Sequence, residues 1–184
     1  MPEADPTPDS HFRARKPNDA PDLRVGHGYD LHRLEHLAPD GPGKPLIIGG
    51  LPLEHDRGPL AHSDGDVLYH AVTDALLGAL AHPDIGQLFP NTDEGEAGRD
   101  SSEYVARAHE LVEEAGYRVI SLDATVVLER PKIGPHKDAM RDNIARLLKM
   151  DVSRVNVKGK THEAVDAVGQ GLALEAHCVV LLAR

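Results

Sequence analysis

Residues 63–80 read SDGDVLYHAVTDALLGAL, and the spacing of their apolar side chains decides the class of fold. Val67, Leu68, Ala71, Val72, Ala75, Leu76 and Ala79 recur at intervals of three and four, which predicts a helix with one wide apolar face. Ser63 is placed to cap its first turn, with Asp66 three residues on in a capping-box-like position. At about 100° per residue, Asp66, His70, Thr73 and Asp74 fall on the opposite stripe. His70 is therefore either exposed or aimed at something polar. Free N–H groups at the start of such a helix favour an anion. His62 and Ser63 stand there with an imidazole and a hydroxyl to donate, although Ser63 also reads simply as a cap.

Upstream, LRVGH predicts a strand beginning near Leu23, and LIIGG (46–50) a short buried one, with the loop APDGPGKP (38–45) between them. Downstream, residues 81–100 are rich in Pro, Gly, Asn and Asp and read as irregular. A helix over 101–115 stops at Gly116, and an apolar strand covers 117–129. A helix over 135–149 opens with Pro135 near its first turn. Strands follow at RVNVKGK (154–160) and EAHCVVLLA (175–183). Helices alternating with strands predict an α+β sandwich, a mixed sheet with helices packed on one face.

The chain has 184 residues, 40% of them hydrophobic, with no Trp, two Phe and four Tyr. That composition predicts one domain, 23–184, with an aliphatic core. Residues 1–22 include five prolines and read as a disordered tail with no apolar signal region; the basic patch RARK (13–16) reads as solvated charge. A formal net charge of −10 argues against a nucleic-acid surface. No apolar run approaches the ~20 residues of a membrane span. The single Cys178 reads as a buried thiol in a reducing, cytoplasmic setting.

In GYDLHRLEH (28–36), Asp30 and His32 are two apart, so on an extended segment both point the same way. With His70 they make an O,N,N donor set, and three protein ligands leave a tetrahedral Zn²⁺ one open position. The chain has 12 histidines, so on spacing alone the pair also reads as a turn aspartate and a surface histidine. KGKTHE (158–163) contains GKT, but a nucleotide-binding P-loop needs glycine at 154, where Arg154 stands. What remains is Lys160, Thr161 and Glu163 at a strand end, suited to phosphate and a divalent ion or to an ordinary polar loop.

Taken in order, GHGYDLHRL, LAHSDGDVLYHAVTDALLGAL, DIGQLFPNTD, ERPKIGPH and VKGKTHE resemble the 2-C-methyl-D-erythritol 2,4-cyclodiphosphate synthases, from about Leu23 to Arg184. The resemblance implies that Asp30, His32 and His70 hold zinc and that Glu163 holds a second divalent ion, Mg²⁺ or Mn²⁺. It implies that His62 and Thr161 stabilise the transition state and that His62 and Ser63 grip the phosphates. Asp84, Ile85 and Gly86, with Phe89, Pro90, Asn91, Thr92 and Asp93, would line the erythritol part. Leu128, Pro131, Lys132, Ile133 and Gly134 would form the cytidine loop, with Lys160, Thr161, His162 and Glu163 beside it.

The implied substrate is a cytidine diphosphate-linked small molecule. Its own 2-phosphate attacks its β-phosphate and CMP leaves, in the non-mevalonate isoprenoid pathway. The implied assembly is a homotrimer with active sites between subunits. Many members have a Thr-rich run at Lys160–Thr161–His162. Members of the best-known type also carry Phe, Arg and Glu where Ala167, Gln170 and Leu172 stand, lining an axial cavity that takes an isoprenoid diphosphate. Weak binding of such ligands is therefore expected. Two His and one carboxylate also hold Fe(II) in oxygenases, but those sites read H-x-D/E…H, the reverse of D-x-H. A non-catalytic trimeric binding protein of this fold would not need Asp30, His32, His70, Lys132, Thr161 and Glu163 together.

Overall fold

Gly26 and Gly28 determine how the layers meet. A Cβ at Gly26 would lie 1.9 Å from the carbonyl oxygen of Ala75, and one at Gly28 1.9 Å from that of Ala71. Only glycine lets the long helix lie this close on the first strand. In the computed structural model, which describes residues 21–89 and 98–184, the strand is β1 (Leu23–His36) and the helix α1 (Val67–Ala79). They run antiparallel.

β1 is longer than LRVGH suggests, because it pairs with β7 (Ala173–Ala183) from Leu23↔Ala183 to Arg33↔Ala173 and then with β4 (Arg57–Pro59). The remaining elements are β2 (Ile47–Ile48), β3 (Leu51–Pro52), α2 (Ile85–Leu88), α3 (Ser102–Glu114), β5 (Arg118–Val127), α4 (Lys137–Leu147), β6 (Val155–Lys160) and α5 (Asp166–Gly169). The main sheet is ordered β4-β1-β7-β5-β6. Its pairs are antiparallel except β5–β6, which is parallel with α4 in the crossover. It is the mixed sheet with helices on one face that the sequence predicts.

The even-numbered residues of β7 (Leu174 to Leu182) face the helices and are buried. On the other face Val25, Tyr29, Leu31 and Val179 stay exposed, at 68, 45, 45 and 43%. Cys178 is fully buried, and burial pushes its thiol pKa up.

One expectation about α1 is corrected. Its cap is Asp66, whose carboxylate accepts from the N–H groups of Leu68 and Tyr69; Ser63 does not cap it. The same carboxylate accepts from Gly49 (2.9 Å) and Gly50 (2.7 Å), which turn between β2 and β3 at φ +60° and +73°. Asp66 thus occupies the N–H groups of Leu68 and Tyr69, two of those the helix start offers. Asp66, His70 and Thr73 are buried, and His70 is aimed at a polar group, Asp30, 2.8 Å away, one of the two readings its place on the stripe allowed.

The helix expected over 135–149 starts later, since Pro135 lies in a single 3₁₀ turn, Gly134–His136. Residues 1–20 and 90–97 lie outside the described residues. Most of the expected tail, with its RARK patch, and the site residues Pro90, Asn91, Thr92 and Asp93 therefore do too. Asp22 is tied to the domain: Tyr117 donates its hydroxyl to it at 2.6 Å, and Arg184 pairs with it at 2.9 Å.

Candidate active site

The antiparallel contact of β1 and α1 delivers the metal-type donors. Two strand residues advance ~6.6 Å and four helical residues ~6 Å, so the two periods nearly match. Gly26 therefore lies under Ala75 and Ala79, and Gly28 under Ala71 and Ala75. The next step brings Asp30 to His70, in the first turn of α1. His70 Nδ1 is 2.8 Å from Asp30 Oδ2. His32 Nε2 is 3.2 Å from that oxygen and 3.2 Å from His70 Nδ1.

Donors ~2.0–2.1 Å from a tetrahedral zinc stand about 3.3 Å apart, close to the edges of this triangle. The three groups fit a divalent cation in donor chemistry and in spacing, and they are the one such cluster among the described residues. Burial pushes the His32 pKa down, against the pull of Asp30. Burial also opposes charge on Asp30 and His70. Their mutual hydrogen bond and charges outweigh it, so the Asp30 pKa is lowered and that of His70 raised.

The triad borders a cavity of ≈ 300 Å³ lined also by Leu60, Ala61, His62, Ser63, Ile85, Gly86, Phe89 and Tyr104. Of the residues singled out in the sequence, the fold thus gathers Asp30, His32, His62, Ser63, His70, Ile85, Gly86 and Phe89. Asp84 caps α2 by accepting from Gln87 N–H. Ser63 Oγ accepts from the N–H of Gly65 at 3.1 Å and lies 3.1 Å from His70 Nε2.

A second cavity, of ≈ 430 Å³, is lined by Leu128, Lys132, Ile133, Gly134, Lys137, Gly159, Lys160, Thr161 and Glu163. Pro131 follows a cis peptide beside it. Glu163 is held at φ +51°, a left-handed conformation that costs a non-glycine residue about 1 kcal/mol. His162 is engaged elsewhere, 2.8 Å from Asp166 and 3.5 Å from Glu175. The two cavities lie apart in one chain. Asp30, Ala176, Val126 and Gly159 form one row across the sheet, so Asp30 and Gly159 are separated by three strand spacings, about 14 Å.

Lys44 and Ser101 were not singled out in the sequence, and Asp74 only as part of the polar stripe of α1. Lys44 Nζ donates to the carbonyl oxygens of His62 (2.9 Å) and Ser63 (2.5 Å), fixing the backbone of that pair. Asp74 accepts from the N–H of Ile85 at 2.8 Å and anchors α2 over the cavity. Ser101, fully buried, lies 2.9 Å from His70 Nε2. Neither Lys44 nor Ser101 has a spacing signal, since each acts across a turn that sequence periodicity does not describe.

The sequence profile of the YgbB family matches residues 23–183. A relative from Catharanthus roseus, the chloroplastic 2-C-methyl-D-erythritol 2,4-cyclodiphosphate synthase, is 54% identical over 173 residues, covering 94% of this chain and 71% of its own length. The enzyme of that name from Idiomarina loihiensis is 50% identical over 160 residues, covering 87% and 97%. Among solved structures, the CDP complex of IspF from Plasmodium falciparum superposes with a TM-score of 0.75 at 35% identity, covering 88% of this chain and 96% of that one.

Proposed function

The chain belongs to the YgbB family, and from that membership and the geometry above we propose that it cyclises 4-diphosphocytidyl-2-C-methyl-D-erythritol 2-phosphate to 2-C-methyl-D-erythritol 2,4-cyclodiphosphate, releasing CMP for isoprenoid synthesis. The convergence of Asp30, His32 and His70 beside His62 and Ser63 in one cavity carries this reading. Residues 23–184 form the catalytic domain of this lyase.

The substrate brings its own nucleophile, so no side chain needs to attack. The barrier is the approach of one phosphate anion to another while charge grows on the leaving CMP, and positioned donors and cations lower it. Zn²⁺ held by Asp30, His32 and His70 would supply a Lewis acid and a template. Glu163 would hold Mg²⁺ or Mn²⁺ near the diphosphate. Ser63 Oγ already accepts from the N–H of Gly65, which leaves its hydroxyl proton to a phosphate oxygen. His62 donates beside it from a backbone clamped by Lys44. Thr161 donates to the diphosphate, and Lys132 and Lys160 offset its charge. Leu128 and the loop through Pro131 to Gly134 take the cytidine, with Lys160, Thr161 and His162 alongside. Asp84, Ile85, Gly86 and Phe89, with Pro90 to Asp93, surround the erythritol.

The separation of the two cavities supports an active site shared between subunits, and the exposed apolar sheet face supports a homotrimer built on it. No helix among the described residues is long and apolar enough to cross a membrane; the buried lone thiol supports a cytoplasmic setting. The test is an assay of CMP release and cyclic diphosphate formation, with and without chelator, and with His70→Ala. Activity is expected to vanish in both cases. Full activity in the metal-stripped His70→Ala variant would remove the proposed role of the triad.

A further inference from the structure

We propose that Asp64 and Ser101 are positioning residues for the cation site: they hold the His70 imidazole in the tautomer that turns its Nδ1 lone pair toward Asp30 and His32. The proposal rests on the metal reading of that triad and assigns two residues that the family resemblance did not single out.

The argument follows the protons. Asp64 is surrounded by donors. Its Oδ2 accepts from the backbone N–H of Ser101 at 3.0 Å, and its Oδ1 from the backbone N–H of Asp66 at 3.1 Å. The Ser101 hydroxyl makes a very short contact with the same Oδ1. An ionised carboxylate only accepts, so the proton in that contact belongs to Ser101. The oxygen of Ser101 then presents lone pairs to its other neighbour, His70 Nε2, at 2.9 Å. A bare Nε2 there would set lone pair against lone pair. Nε2 must carry the proton and donate it to Ser101 Oγ, with Ser63 Oγ as a second acceptor 3.1 Å away. When a cation takes the place of the proton that Nδ1 shares with Asp30, Nε2 keeps its own and the imidazole is neutral. Nδ1 faces Asp30 Oδ2 and His32 Nε2, so three electron-pair donors point at one place.

The local structure of Ser101 is a separate observation. It stands at the N-cap of α3, where a serine hydroxyl ordinarily bonds an N–H of its own helix. Here the side chain makes no capping bond. The hydroxyl is turned inward instead, in a fully buried position, onto Asp64 and His70. Asp64 is fixed in turn by its own N–H, which donates to the carbonyl of Arg99 at 3.0 Å. Such outer partners of a ligating histidine fix its ring orientation, and their removal typically costs ~10–100-fold in metal affinity.

The test uses the purified full chain and Zn²⁺ alone, titrated against a chromophoric chelator. Ser101→Ala and Asp64→Asn are expected to weaken zinc binding ~10–100-fold. His70→Ala is expected to abolish binding at this site. If His70→Ala binds zinc as the unaltered protein does, the metal reading fails. If His70→Ala loses zinc but Ser101→Ala stays within about twofold of the unaltered protein, the positioning role alone fails. The second readout needs no variant: nitrogen NMR of histidine-labelled, zinc-loaded protein. A metal-bound Nδ1 and a protonated Nε2 on His70 are expected; a proton on Nδ1 or zinc on Nε2 would overturn the proposal.

Discussion

Replacing Gly28 with alanine would put a methyl carbon 1.9 Å from the Ala71 carbonyl oxygen and 2.6 Å from the Ala75 nitrogen. Both atoms are helix backbone and cannot rotate away. Ordinary contact begins near 3.4 Å, so α1 must retreat from β1 by about 1.5 Å (3.4 less 1.9). Overpacking of this kind costs ~1–3 kcal/mol, occasionally more. Clash with rigid backbone puts Gly28→Ala at the upper end. The same retreat separates His70, on α1, from Asp30 and His32, on β1. Ligand distances tolerate only about ±0.2 Å, so a shift of that size disables a cation site. The expected result is a coupled loss: a lower denaturation midpoint in urea, and loss of zinc at concentrations that saturate the unaltered protein. The control is Gly78→Ala on the exposed side of α1, where a Cβ meets only the His27 carbonyl oxygen at 3.6 Å. Helix propensity predicts up to ~1 kcal/mol of stabilisation there, with zinc binding unchanged. A Gly28→Ala protein with unaltered stability and unaltered zinc affinity would refute the idea that this close approach positions the site.

Burial raises the Asp66 pKa from 3.8 to about 6, against the N–H groups it accepts. A raised folded-state pKa means stability present below 3.8 and lost as pH rises through about 6, worth about 3 kcal/mol across that window. Asp66→Asn is expected to remove this slope from urea denaturation of metal-free protein measured at several pH values. Zinc at ~100 times its dissociation constant is expected to stabilise the protein by ~2.7 kcal/mol in thermal unfolding, and His70→Ala to abolish the gain. Geranyl diphosphate is expected to bind weakly by calorimetry. Ala167 and Leu172 border a cavity with Leu31, Arg33 and Arg57, whose guanidinium groups already engage Glu35 and His36; tight binding would contradict this.

Much of the architecture can be read from α1, because its apolar period is long and uninterrupted. The same period left the surroundings of its polar stripe open. Periodicity separates faces but does not say what packs on the second one, so His70 could be read as exposed or as aimed at a polar group. The cap was misassigned because Ser63 and Asp66 both suit the role; what decides it is the Gly49–Gly50 turn, remote in sequence, which needs the Asp66 carboxylate as well. The D-x-H pair was legible as two ligands on one strand face. The reason His70 meets it lies in Gly26 and Gly28, whose lack of a side chain gives no hydrophobic signal. Lys44 and Ser101 act through loop geometry, which residue spacing does not encode.

The row that runs from Asp30 to Gly159 has a genetic consequence. Suppose a site takes its triad from one subunit and its Thr161–Glu163 wall from the next. A protein inactivated by His70→Ala and one inactivated by Glu163→Gln then each keep one sound half. Refolded together in equal amounts as trimers, they regain activity at about a quarter of their sites, because a sound half from each side meets by chance that often. Two alleles that are each dead alone would sustain one another in the same cell.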